Sequence, residues 1–139
     1  MVSWQVWALL SAVFAALTAL LAKVGVQTID SDLATLLRTG VILVVLLLFV
    51  TAKQGWATIG EVTPHAAVFL ALSGLATGAS WVCYFRALKI GDAARVAPID
   101  KLSVVFVAIF AVIFLGERLS GIHWLGVSMI AGGALLLAR

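Results

Sequence analysis

The chain has 139 residues, 64% of them hydrophobic and only 11% charged, with a formal net charge of +3. That balance excludes an ordinary soluble domain of this length, and so small and dispersed a charge gives no hold on nucleic acid. It describes an all-α integral membrane protein whose principal partner is the lipid bilayer.

The first apolar stretch runs from Trp4 to Ala22. No lysine or arginine precedes it and Lys23 follows it, which suits a retained span better than a cleaved signal peptide. Ser11, Ala15 and Ala19 form a four-residue ladder of small side chains along it, a face expected to pack against another helix.

The second stretch, Leu33 to Ala52, opens behind Ser31 or Asp32 as a helix cap and carries Arg38. Lys53 to His65 is the longest connection, too short for a soluble domain. The third stretch, Ala66 to Leu88, holds a Gly74-Gly78 pair, Trp81, Cys83 and Tyr84. A lone cysteine in a span forms no intrachain disulfide and reads as a small packing residue.

Gly91-Asp92 ends the third helix and caps the fourth, Ala93 to Leu115; Gly116 ends that one, and Ser120 opens the fifth, Gly121 to Ala138. Ser128 and Gly132 give the fifth a small-residue face. None of the stretches alternates as a barrel strand does, so the expectation is one domain over 1–139, with spans at about 4–22, 33–52, 66–88, 93–115 and 121–138.

Crossing five times puts the termini on opposite sides. Lys23, Arg86, Lys89, Arg95 and Arg139 share one side, while Lys53 and Arg118 lie on the other. By the positive-inside rule the N-terminus is outside and the C-terminus cytoplasmic. Trp4, Trp7, Trp56 and Trp124 then fall near span ends on the outer side, as in an aromatic belt; Trp81 does not.

Asp100-Lys101 is the anomaly. From Leu102 the apolar run reaches only Leu115, and at about 1.5 Å per residue it cannot cross a core about 30 Å thick, so both charges enter the membrane region. Ionisable groups there are costly and usually tied to a partner or a pathway. Pro98, lacking an amide hydrogen, is expected either to kink the fourth helix or to be its true start, and a broken start would present a helix N-terminus to a cavity as transporters do.

Counted from the cytoplasmic face, Arg38 and Asp100 both lie on the order of 8 to 10 Å deep. Thr18 and Tyr84 are at similar or shallower depth, and Trp81 sits one turn deeper on the same face as Tyr84. Adjacent helical residues diverge by about 100°, so Asp100 and Lys101 are expected to need separate partners, with Arg38 the candidate for Asp100. The structural alternative has Asp100 favouring a helix dipole while Lys101 and Arg38 snorkel to the headgroups.

No nucleophile, metal cluster, nucleotide loop or acid/base pair has recognisable spacing, so neither an enzyme nor a cofactor or metal is expected. His65 and His123 lie in different loops. Glu117-Arg118 sits at a turn.

Phe114-Leu115-Gly116-Glu117-Arg118-Leu119-Ser120, then Trp124-Leu125-Gly126-Val127 and Gly132-Gly133-Ala134-Leu135-Leu136, resemble the end of an EamA domain of the drug/metabolite transporter superfamily. Arg38 after Leu36-Leu37, and Tyr84-Phe85-Arg86-Ala87-Leu88 leading to Gly91-Asp92-Ala93, resemble it too. The passage Val96-Ala97-Pro98-Ile99-Asp100-Lys101-Leu102-Ser103-Val104-Val105 is similar to that of short single-domain members.

The resemblance implies five transmembrane helices forming one EamA-type repeat. It also implies a secondary transporter of the cell inner (plasma) membrane that exports a small-molecule metabolite under an ion gradient. A half-length chain implies a dimer, with itself or with an oppositely oriented homologue, forming inverted repeats. In this reading Asp100 is the proton or cation site, and Arg38, Trp81, Tyr84, Thr18 and Lys101 line the pathway. The competing reading is an accessory or structural membrane subunit whose charges serve assembly.

Overall fold

The computed structural model describes residues 3–139. Its helices follow from the apolar runs, bounded by residues that satisfy the open backbone groups at helix ends. α1 spans Trp4–Gly25, α2 Ser31–Ala52 and α3 Pro64–Ile90; α4 spans Ala93–Asp100, α5 Ser103–Phe114 and α6 Gly121–Leu137. No strand occurs among the described residues. α1, α2, α3 and the combined segment Ala93–Phe114 are each long and apolar enough to cross a membrane, and α6 adds a shorter apolar helix of 17 residues. This is an all-α membrane protein.

The cap of α2 is Asp30 rather than Ser31 or Asp32. Asp30 has the extended backbone of a cap, φ −62° and ψ 140°, and its Oδ1 accepts from the amides of Asp32 at 2.9 Å and Leu33 at 3.1 Å. Ser31 and Asp32 are already helical, so neither is placed to cap. The connection after α2 folds as a 3₁₀ helix, Gly55–Glu61, which packs on α2. α3 then opens on Pro64, whose missing amide costs nothing at a first helical position, while Thr63 Oγ1 accepts from the amide of Ala66.

Pro98 does not break the helix. α4 runs through it to Asp100, and the interruption falls at Lys101-Leu102. Proline has no amide and its ring crowds the carbonyl a turn earlier, so its own disturbance falls on the turn before it, while the interruption comes three residues after it. Leu102 donates to Ile99 at 2.9 Å, Val104 to Lys101 at 3.0 Å and Val105 to Leu102 at 2.9 Å, the tighter three-residue spacing of a 3₁₀ turn. At the other end Gly116 takes φ +67°, the left-handed conformation glycine tolerates, and the Ala111 carbonyl accepts from both Leu115 and Glu117. Ser120 begins α6, its amide donating to His123 Nδ1 at 3.2 Å.

The chain forms two compact units. One takes in the chain up to Leu21 together with Ile90–Arg139. Here α6 packs on α4 and α5, burying Ala108, Ala111 and Ala134, and Arg95 Nη2 donates to the carbonyls of Ala138 at 3.0 Å and Arg139 at 2.6 Å. The less exposed face of α6 is Val127, Ala131, Ala134 and Ala138, not the expected Ser128-Gly132 face, which is exposed. Those two residues lie one position round the helix, about 100° away. On α1, Ala19 is buried but Ser11 and Ala15 are exposed.

The other unit is Ala22–Lys89. Its most buried side chains are Val26, Leu88 and Phe85, with Ser31, Ala34 and Thr35 beside them in the burial order. Basic side chains finish the open carbonyls here. Lys23 Nζ donates to the Leu88 carbonyl at 2.8 Å and Lys89 Nζ to the Ile29 carbonyl at 2.6 Å. Arg86 grips Asp32 with two bonds, Nε to Oδ1 at 3.0 Å and Nη2 to Oδ2 at 2.7 Å.

Candidate functional site

Within the Ala22–Lys89 unit, α2 and α3 are tied at one end by the Asp32–Arg86 pair and line an open cavity of about 420 Å³ farther along. From α2 come Thr35, Arg38, Thr39 and Ile42, and from α3 Leu70, Ser73, Gly74, Thr77, Gly78 and Trp81. Both sets repeat at helical spacing, so each helix presents one stripe.

Arg38 is the cation of this cavity. Its guanidinium carbon lies 3.3 Å from the centre of the Trp81 ring and 5.6 Å from that of Phe85. Such stacking draws the charge onto the negative face of the ring and leaves the N–H donors, which lie in the guanidinium plane, pointing outward. Among the described residues no carboxylate or carbonyl accepts a hydrogen bond from Arg38. Trp81 is braced in turn by Tyr84, edge-on at 5.9 Å and 86°, and by Phe85 at 5.9 Å.

The hydroxyls facing the cavity are half spent. Thr35 Oγ1 donates to the Ser31 carbonyl at 2.8 Å, Thr39 Oγ1 to Thr35 at 2.7 Å and Thr77 Oγ1 to Ser73 at 2.9 Å. Each proton is committed to its own helix, while the oxygen lone pairs remain able to accept.

Gly74 and Gly78 do not bring backbones together as expected of a GxxxG pair. A Cβ added at either meets no atom within 4 Å. Their smallness makes room for the cavity rather than for a helix contact.

Of the residues singled out from the sequence, Arg38 and Trp81 meet in the cavity, and Tyr84 stands behind Trp81. Thr18 lies on α1, partly buried, and Asp100 and Lys101 belong to the other unit. Asp100 takes Lys101 itself as partner, Nζ to Oδ2 at 3.0 Å, and Arg38 takes the Trp81 ring, where the sequence had suggested an Arg38–Asp100 pair. The angular divergence of neighbours fixes only where side chains start; a four-carbon lysine stem at an interrupted helix reaches back over it. Pro98 lies inside α4, before the interruption. The sequence reading missed Thr35, Thr39, Ser73 and Thr77, although their spacing against Arg38 and Trp81 carried the signal.

The model of the EamA-like transporter family matches residues 2–139. The chain belongs to the EamA-like transporter family. It is 66% identical over 136 residues to a Sinorhizobium protein named "Uncharacterized transporter in cobO 3′ region", covering 98% of this chain and 96% of that one. It is also 33% identical over 73 residues to a Pseudomonas fluorescens protein named as the probable 4-amino-4-deoxy-L-arabinose-phosphoundecaprenol flippase subunit ArnE, covering 52% of this chain and 61% of that one. No solved structure matches. As an EamA-like transporter the protein has a non-catalytic role.

Proposed function

We propose that this EamA-like protein is one half of a dimeric secondary transporter of the inner membrane, moving a small metabolite outward with the α2–α3 cavity facing the substrate. The observation that carries this reading is Arg38, a cation within an apolar span, held by an aromatic face and offered to the cavity with no hydrogen-bond acceptor among the described residues. A charge in a membrane helix is expensive unless a partner or a solvated path answers it. Here a substrate is that answer.

Pairing is supported by the shape of the cavity, whose walls come from α2 and α3. A further wall from a second five-helix copy, inserted the other way up with its N-terminus inside, would enclose a substrate on its way across. A relative named as a flippase subunit fits the same arrangement. Coupling is assigned to Asp100, whose bond to Lys101 at an interrupted helix can be exchanged for a proton or cation.

The assembly reading is less well supported. Lys23, Arg86, Lys89 and Arg95 are all engaged by carbonyls or carboxylates of their own unit, leaving them little to offer a scaffold.

Everted membrane vesicles tested against amino acids, nucleosides, polyamines, organic acids and organic phosphates check the proposal. Saturable, energised accumulation that Arg38→Gln lowers at least tenfold is expected. Accumulation no greater than in vesicles lacking the protein overturns it.

A further inference from the structure

The connection between α2 and α3 carries an apolar stripe that the fold leaves open. Gly55–Glu61 is a 3₁₀ helix, and in such a helix residues three apart lie one above the other. Trp56 and Ile59 have that spacing, and Val62 at the cap continues it. The same rule puts Thr58 and Glu61 on a second stripe and Ala57 and Gly60 on a third. The short helix is therefore amphipathic at the period of its own geometry. Trp56, Ile59 and Val62 remain 46%, 63% and 50% exposed.

The placement of this helix against α2 is tightly specified. Gln54 takes the left-handed conformation, φ +54°, and turns the chain as it leaves α2. Gly55 then lies so close to α2 that a Cβ would meet Val50 Cγ1 at 3.1 Å. Trp56 Nε1 donates to Thr51 Oγ1 at 3.0 Å, so the one polar atom of the indole is answered by the last turn of α2 and the rest of the ring can enter hydrocarbon. The helix begins three residues after α2 ends and stops three before α3 starts, so it stays beside the membrane surface. No charge lies between Lys53 and Glu61.

We propose that this 3₁₀ helix lies in the headgroup region of the leaflet in which α2 ends, with Trp56, Ile59 and Val62 toward the acyl chains and Thr58 and Glu61 toward water. Its partner is the lipid surface, which takes up an apolar stripe next to a span end and holds an indole at the headgroup level. The anchor fixes the depth of α2 and α3 at the end opposite their Asp32–Arg86 tie. It does so whatever the substrate.

Full-length protein in liposomes of phosphatidylcholine and phosphatidylglycerol tests this. Nitroxide labels are attached singly to Ile59→Cys, Val62→Cys, Thr58→Cys and Glu61→Cys in a Cys83→Ser background. Collisions with oxygen, which concentrates in lipid, are compared with collisions with a water-soluble nickel chelate. The oxygen-to-nickel ratio is expected to be at least threefold higher for Ile59→Cys and Val62→Cys than for Thr58→Cys and Glu61→Cys. Equal ratios at all these positions overturn the proposal. So does exclusion of both reagents from Ile59→Cys and Val62→Cys, which would mean that a second copy or another protein covers the stripe.

Should Cys83→Ser fail to fold, the wild type and Trp56→Phe are compared in liposomes whose phosphatidylcholine is brominated either near the headgroup or near the chain ends. The fluorescence lost in Trp56→Phe is expected to be the part that shallow bromine quenches more than deep bromine. Shallow quenching that is the same in both proteins overturns the proposal.

Discussion

The guanidinium of Arg38 stacks on the indole of Trp81, its central carbon 3.3 Å from the ring centre, joining α2 to α3 within a membrane-spanning pair. The contact holds a charge in place by its face while its edge stays available, which a carboxylate partner would not allow. An aromatic at position 81 is therefore required for two reasons, and they can be separated.

Trp81→Phe keeps a ring under the guanidinium and is expected to retain most of the stability, whereas Trp81→Leu keeps only apolar bulk. A loss of about 1 kcal/mol is expected for Trp81→Leu, in the range of a partly desolvated cation–π contact. Thermal unfolding of purified protein in detergent reads it. The two variants having the same midpoint would show that the ring face contributes nothing.

Gly74 and Gly78 face space, so adding bulk there should obstruct without straining. Gly78→Ala replaces glycine inside a helix by the best helix former and is expected to gain about 0.5–1 kcal/mol. Gly78→Phe is expected to fold yet fill the cavity and lose transport and ligand binding. A Gly78→Phe protein that unfolds early would mean that the space is filled in the folded protein.

Asp32 and Arg86 should behave as one unit. Asp32→Asn and Arg86→Gln each break the two-bond grip, so the double variant is expected to lose no more than the worse single one, the mark of coupled residues. The pair is exposed, so the coupling is small and is best followed by hydrogen exchange at the start of α2 and the end of α3 rather than by global unfolding.

Asp100→Asn keeps the shape of the turn at Lys101-Leu102 but cannot exchange its charge. Binding at Arg38 is expected to survive, and the response of transport to an imposed proton or cation gradient to disappear. Vesicle transport measured with and without the gradient checks this; an unchanged response removes Asp100 from coupling.

The apolar runs were enough to read an all-α membrane protein, because a hydrophobic solvent demands long helices whatever their contacts. Local competition was harder to read. Asp30, Ser31 and Asp32 are all good caps, and backbone geometry chose the first. Pro98 sits inside α4, and the three-residue bonds come after it, at Leu102, Val104 and Val105, beyond the preceding turn on which a proline ring acts. Depth counting brought Arg38 and Trp81 to nearly one level but could not say which neighbour each would choose. Charge complementarity pointed Arg38 to Asp100; each has a partner within its own unit, Lys101 for Asp100 and the flat face of Trp81 for Arg38. Thr35, Thr39 and Thr77 passed unnoticed because a hydroxyl that bonds its own helix looks like filler until a groove opens beside it, and Ser73 because it is one small residue among many.

Lys23, Arg86 and Lys89 each close a bond within the Ala22–Lys89 unit, and Arg95 does the same within its own. Such stitches travel with the polypeptide. These internal bonds would be the same in either orientation, so it is the uneven sharing of Lys23, Arg86, Lys89 and Arg95 between the two sides, not the ties they make, that bears on how a copy inserts.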